Sequence, residues 1–148
     1  IGLVISVHVI GMYAFSPVVG GISDRIGKIK TIQVGLIILL ASSLVAGTAA
    51  ADDVPRLGIG LFLLGLGWSF TLIAGSALLS SSVEPSLKTS SQGASDLVMN
   101  LAGAGGGAVA GVIISALTYG WLCAFAIVPV LGLAIWSTTF RAAKVPQN

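Results

Sequence analysis

The sequence predicts an all-α, polytopic membrane protein with five transmembrane helices, forming part of a larger bundle, and three observations carry that prediction. Of 148 residues, 55% are hydrophobic and only 8% are charged, against roughly 25% charged in ordinary soluble domains. The mean hydropathy is +1.05. The few charges are also segregated: residues 1–23, 31–51, 57–83 and 97–140 contain no Asp, Glu, Lys or Arg. At a rise of 1.5 Å per residue, about 20 helical residues cross a hydrocarbon core of about 30 Å. Each of the first three runs accommodates one crossing, and the fourth accommodates two with a turn between them. A helix on a soluble protein needs a charged outer face. None of these has one.

The punctuation between the runs places the elements. Helix 1 is expected over residues 1–19 and helix 2 over 31–51, joined by a polar loop at 20–30. Helix 3 is expected over 55–79, with Pro55 in the first turn, where a missing N–H costs nothing. Helix 4 follows over 90–117, and "TYGW" at 118–121 makes a tight hairpin into helix 5 over 121–140, ahead of a tail at 141–148. Pro17 and Pro129 fall inside spans and should bend helices 1 and 5. Helix 1 is not a cleavable leader, since it lacks a basic leading region and is followed by a charged loop and further spans. The chain opens on Ile1 in the middle of an apolar run, so we expect a C-terminal piece of a longer protein, whose missing N-terminal helices are its partners along with the lipid bilayer.

Basic residues set the orientation. Arg25, Lys28 and Lys30 lie in loop 20–30, Lys88 in the third connection, and Arg141 and Lys144 in the tail, whereas the opposite side has only Arg56, beside Asp52 and Asp53. Loop 20–30 and the tail are therefore expected in the cytoplasm of a cell inner (plasma) membrane. Trp121 falls at the expected outer interface and Trp136 near the inner one. The net charge of +2 reflects this orientation, and nothing suggests nucleic-acid binding. The single cysteine, Cys123, excludes an internal disulfide and a cysteine-based metal cluster, and is expected to pack as a small hydrophobe. No cofactor or metal is expected.

One stretch, "NLAGAGGGAVAGVIIS" at 100–115, contains the pattern G-x-G-x-x-A. A dinucleotide loop needs a preceding strand and an acidic residue about 20 positions later, and neither is present. The better description is Gly103, Gly107 and Gly111, spaced by four on one helical face. Such a groove lets another helix approach backbone to backbone.

The loop "GGISDRIGKIKTI" at 20–32 combines Asp-Arg, Gly and Lys at the end of a span. It resembles the loop signature of the major facilitator superfamily, G-x-x-x-D-R-x-G-[RK]-[RK]. Gly20, Asp24, Arg25, Gly27 and Lys28 match, while Ile29 stands where the family has a second cation, which here comes one place later at Lys30. Physically, Gly27 permits a left-handed turn between antiparallel spans. Asp24 can cap a neighbouring helix or pair with a cation in one conformation and release it in another, as a latch does. The stretches "HVIGMYAFSPVVGG" (8–21) and "GLGWSF" (65–70) with "GSALLSSSVEPSLKTSSQGASD" (75–96) look like the eighth span and the tenth span with its following loop. On that resemblance the chain holds spans 8 to 12, ending at 145–148; spans 2 to 6 would have the same sidedness, and the short tail favours 8 to 12.

The resemblance implies a secondary active transporter that moves a small solute by alternating access, with proton coupling. An alternative is a non-transporting receptor or assembly component that retains the fold. An intramembrane enzyme ranks third, because no pair of spans has metal-ligand spacing and the serines of the 80–91 loop have no nearby base.

Polar groups inside spans are costly and face the bundle interior. His8, about 18 Å from the cytoplasmic edge by helical rise, either lines a central cavity, binding solute or a proton, or bonds a neighbouring helix. Tyr13, Trp68 and Asn100 are the other cavity candidates. Gln92, Asp96 and Asn100 recur every four residues above the glycine face, so Gln92 and Asp96 mark either a helix-start carboxylate meeting the dipole or an ion site.

Overall fold

A computed structural model of the chain describes residues 2–50 and 52–139. The described residues form six α-helices: α1 (Gly2–Tyr13), α2 (Ser16–Ile26), α3 (Lys28–Gly47), α4 (Val54–Ser82), α5 (Lys88–Ala116) and α6 (Tyr119–Ser137), with a short 3-10 turn at Pro85–Leu87. There is no strand among the described residues. Taken with their continuations, these helices make five segments long and apolar enough to cross a membrane, the first being α1 and α2 together over Gly2–Ile26.

The first span breaks at Ala14–Phe15. Pro17 lies in the first turn of α2; it has no N–H to offer Tyr13, four residues back, and its ring crowds that carbonyl. Helical bonding stops before the proline and resumes after it, with Ala14 N–H donating to Ile10 O and Val19 N–H to Phe15 O, both at 2.9 Å. By contrast α6 runs through Pro129 without interruption.

The expected loop at 20–30 is almost entirely helix. Asp24 and Arg25 sit in the last turn of α2, and Gly27 alone separates α2 from α3. Helical hydrogen bonds depend on the backbone, so they continue past the point where charges mark the end of the hydrocarbon. Gly27 has φ 93° and ψ 149°. That is positive φ, as expected, but in the extended mirror region open essentially to glycine alone rather than in the left-handed helical region. The last hairpin is tighter than its sequence suggested: Leu117 and Thr118 alone join α5 to α6.

At the opposite end, Asp53 Oδ1 accepts from Arg56 N–H at 3.1 Å, capping α4, and Arg56 Nη2 donates to Thr48 Oγ1 at 2.7 Å. Pro55 occupies the first turn of α4.

The centre of the molecule is α4, which packs extensively against both α3 and α1, while α6 packs on α3. The buried residues of α4 explain this position: Gly60, Gly65, Gly67, Ser69 and Ala74 accompany a single large one, Phe70. Small residues let spans approach closely, which is where helices in lipid gain their dispersion energy. Between α3 and α4, buried Ser42 Oγ donates to Gly60 O at 2.8 Å, a contact of a kind that contributes about 0.6 kcal/mol on average within membranes. Cys123 is buried against Gly47 of α3, as a small hydrophobe would be. Helix α5 is the exception, for none of its residues is buried.

Candidate functional site

The crossing of α1 and α4 brings several candidates together. A methyl group at Gly11 would lie 2.5 Å from Phe62 O, and one at Gly65 would overlap His8 O. The two backbones are therefore in direct contact at this crossing. His8 Nδ1 lies 2.8 Å from Leu61 O; because a carbonyl only accepts, the ring nitrogen carries the proton and donates. When the ring is neutral, Nε2 is then left as the acceptor. Of the two roles open to His8, the bond to a neighbouring helix is thus present, and it orients the ring without using its second nitrogen.

Further along the same crossing, the rings of Tyr13 and Trp68 meet edge to face, with centroids 6.2 Å apart and planes at 68°. Phe15 and Phe62 do the same at 5.8 Å and 80°. Tyr13 remains 60% exposed, so this aromatic edge faces out of the described bundle. Ser69, one turn beyond Gly65, is completely buried and its hydroxyl has no partner among the described residues. His8, Tyr13 and Trp68 therefore share one crossing. Asn100 does not join them: it lies exposed on α5, where Nδ2 donates to Asp96 O at 2.8 Å.

The helix-start account of Asp96 does not fit the helix observed. Helix α5 begins at Lys88 and has no acidic residue in its first turn, which puts Asp96 in the third turn, beyond the reach of the terminal dipole. Instead Gln92 Nε2 stands between Ser76 Oγ, at 3.2 Å, and Asp96 Oδ1, at 3.4 Å. This polar cluster ties the start of α5 to α4.

At the end carrying the Asp-Arg signature, Lys28 Nζ donates to Ser81 Oγ at 2.8 Å. Asp24 and Arg25 are exposed, and neither has a hydrogen bond or ion pair among the described residues. The capping and pairing expected of Asp24 are not made here; the N-cap of α3 is Gly27, without a side-chain bond. Gly20 has open space around it.

The stripe of Gly103, Gly107 and Gly111 meets nothing within 4 Å of where a side chain would begin. Close helix approach is made instead at Gly11 and Gly65, at Gly35, Gly60 and Gly67 between α3 and α4, and at Gly47 between α3 and α6. The reason is that α5 touches α4 and α6 only sparsely. A sequence signal for these contacts existed: Gly60 and Gly67 are seven apart, two turns along one face.

The interior is built of small and polar side chains, while large apolar ones point outward, such as Leu3, Ile37, Leu101, Val112 and Ile135, each more than 60% exposed. An exterior of this kind suits hydrocarbon or further apolar helices and not water. The fold is that of a multi-pass α-helical membrane protein in contact with the lipid bilayer. The family model described as Major Facilitator Superfamily matches residues 1–147, and the chain belongs to that family, one of transporters and not of enzymes.

Relatives agree. The chain is 40% identical over 119 residues to a protein named uncharacterized MFS-type transporter YddS of Bacillus subtilis (strain 168), covering 80% of this chain and 27% of that one. It is 37% identical over 144 residues to uncharacterized MFS-type transporter YdeG of the same organism, covering 93% and 33%. It is 33% identical over 92 residues to riboflavin transporter RfnT of Brucella anthropi, covering 62% and 23%. The chain thus spans between about a quarter and a third of the length of the curated relatives it matches. No solved structure matches it significantly.

Proposed function

We propose that this chain is part of a secondary active transporter that moves a small organic solute across the cell membrane by alternating access. Family membership across residues 1–147 is the observation that carries the reading. The relatives are about three times longer, which supports an opposing set of helices contributed by the rest of the protein, with the present chain as spans 8 to 12. The name of one relative, a riboflavin transporter, supports an organic solute and does not extend to riboflavin for this chain.

In this reading the Gly27 end faces the cytoplasm, consistent with the distribution of Lys and Arg. Asp24 and Arg25 are the unpaired half of an inner gate whose partners lie outside the chain, with Gly27 as the pivot and Lys28 as its anchor to α4. The crossing with His8, Tyr13 and Trp68 lines the solute path, His8 Nε2 serving as an acceptor for a solute donor or a proton. Asn100, Gln92 and Asp96 border the path from α5, and the Gly103–Gly107–Gly111 face receives a helix from the other half. Rocking between halves needs smooth contacts, and small-residue faces provide them.

The test is uptake by the full-length protein in reconstituted vesicles, screened over small organic solutes with and without a proton gradient. Saturable, gradient-dependent uptake of one solute class is expected. Absence of uptake across the screen, with correctly folded and oriented protein, would contradict the reading.

A further inference from the structure

An apolar groove runs down the outside of the bundle where α3, α4 and α6 meet. It has a volume of about 280 Å³ and is lined by Ile29, Ile32, Leu36, Leu78, Leu133 and Trp136 among others. From Ile29 to Leu36 the wall extends roughly 10 Å by helical rise, starting at the membrane edge and running into the hydrocarbon. Gln33 Nε2 donates to Ser137 O at 3.3 Å, holding α3 against α6 beside it.

No charged residue among those described lines the groove itself, but a cation lies next to its Ile29–Leu78 end. Lys28, adjacent to Ile29, donates to Ser81 Oγ, and Ser81 Oγ in turn donates to Leu78 O at 2.9 Å, so the ammonium sits over a residue of the groove wall. An ammonium carries three donors, and this one has a single neutral partner among the described residues. Lys30 and Arg25, on either side in sequence, have no carboxylate partner among the described residues either. An apolar slot with an ammonium free of any carboxylate partner among the described residues beside one end, at a membrane interface, matches one kind of molecule: an amphiphile with an anionic head and a hydrocarbon tail.

We propose that this groove is a binding site for an anionic phospholipid of the leaflet on the Gly27 side, with an acyl chain between α3, α4 and α6 and the phosphate on Lys28, reinforced by Lys30. The site depends on membrane residence and is independent of the transport reading. Charge beside that end makes the site selective by headgroup, because each lysine near an anionic surface favours it by about fivefold. The groove itself is indifferent to headgroup and holds the tail.

The experiment uses the purified full-length protein in nanodiscs containing phosphatidylcholine and phosphatidylglycerol with identical acyl chains, followed by native mass spectrometry of the retained lipid. Retention of phosphatidylglycerol over phosphatidylcholine is expected. Lys28→Gln should lower that preference about fivefold, while Leu133→Trp, which fills the slot, should reduce retention of both lipids. Equal retention of the two lipids by the wild type, or an unchanged preference in Lys28→Gln, overturns the proposal. A measurement on the unmodified protein guards against variants that fail to fold: phosphatidylglycerol with a photoactivatable acyl chain should crosslink to residues 29–36 and 133–137. Crosslinks confined to other surfaces overturn the proposal, as does capture of the groove by the chain's own tail or by another helix of the full-length protein.

Discussion

Lys28 Nζ and Ser81 Oγ, 53 residues apart in sequence, meet at 2.8 Å and join the first residue of α3 to the last turn of α4. The contact sits beside Gly27, the single residue between α2 and α3, so in the proposed gate the pivot and its anchor would be neighbours. A bond between a cation and a neutral hydroxyl is weak enough to exchange. In a double-mutant cycle of Lys28→Gln and Ser81→Ala, the coupling should be about 0.5–1 kcal/mol, the low end for a hydrogen bond because Ser81 is exposed. Thermal unfolding in detergent measures it, and strictly additive effects would show that the two side chains act separately.

Gly27→Ala should cost more than any other single methyl at this end of the molecule. There is open space around Gly27, so the cost is entirely that of holding φ at 93°, about 1–3 kcal/mol. A lower unfolding midpoint and reduced membrane abundance are expected. Unchanged stability would mean that the α2–α3 connection takes another conformation.

Two glycine substitutions separate the contacts made within the chain from the stripe on α5. Gly65→Ala should destabilise the α1–α4 crossing by about 1–3 kcal/mol, since the methyl would press on His8 O. Gly107→Ala should be neutral or slightly stabilising in the 148-residue chain, where the position is open and alanine is the better helix former. In the full-length protein the same Gly107→Ala should weaken packing between the halves. Equal behaviour of Gly107→Ala in both contexts would remove the packing role of the stripe.

Ser69→Ala distinguishes an internal defect from a missing partner. The hydroxyl is fully buried and unbonded among the described residues, and removing such a group should leave stability unchanged or raise it by up to about 1 kcal/mol. If the full-length protein instead loses transport while keeping its stability, the hydroxyl bonds a solute or a helix that the present chain lacks.

Asp24→Asn addresses the gate. Asp24 has no hydrogen-bond or ion-pair partner among the described residues, so the 148-residue polypeptide should be indifferent to the change, whereas the full-length protein should show altered uptake at equal abundance. Unchanged uptake would assign Asp24 to topology alone. On the proposed alternating-access reading the 148-residue chain by itself should transport nothing, because that reading requires an opposing set of helices; vesicle uptake by it would show otherwise.

Composition and charge spacing by themselves determined that this chain crosses a membrane with five helical segments, because the cost of placing a charge in hydrocarbon acts residue by residue and needs no knowledge of neighbours. The Asp-Arg-Gly-Lys signature likewise carried the family. What only the tertiary structure decided is which residues meet. The glycines most conspicuous in the sequence, at 103–111, face open space among the described residues, while Gly11, Gly35, Gly60 and Gly65, scattered over three spans, make the close crossings. Lys28 found Ser81 rather than Asp24, and His8 found a carbonyl on α4. Helix formation follows from local backbone bonding in an apolar solvent, but a contact between helices depends on how two faces are rotated toward each other, and that relation is set by packing among all the spans at once.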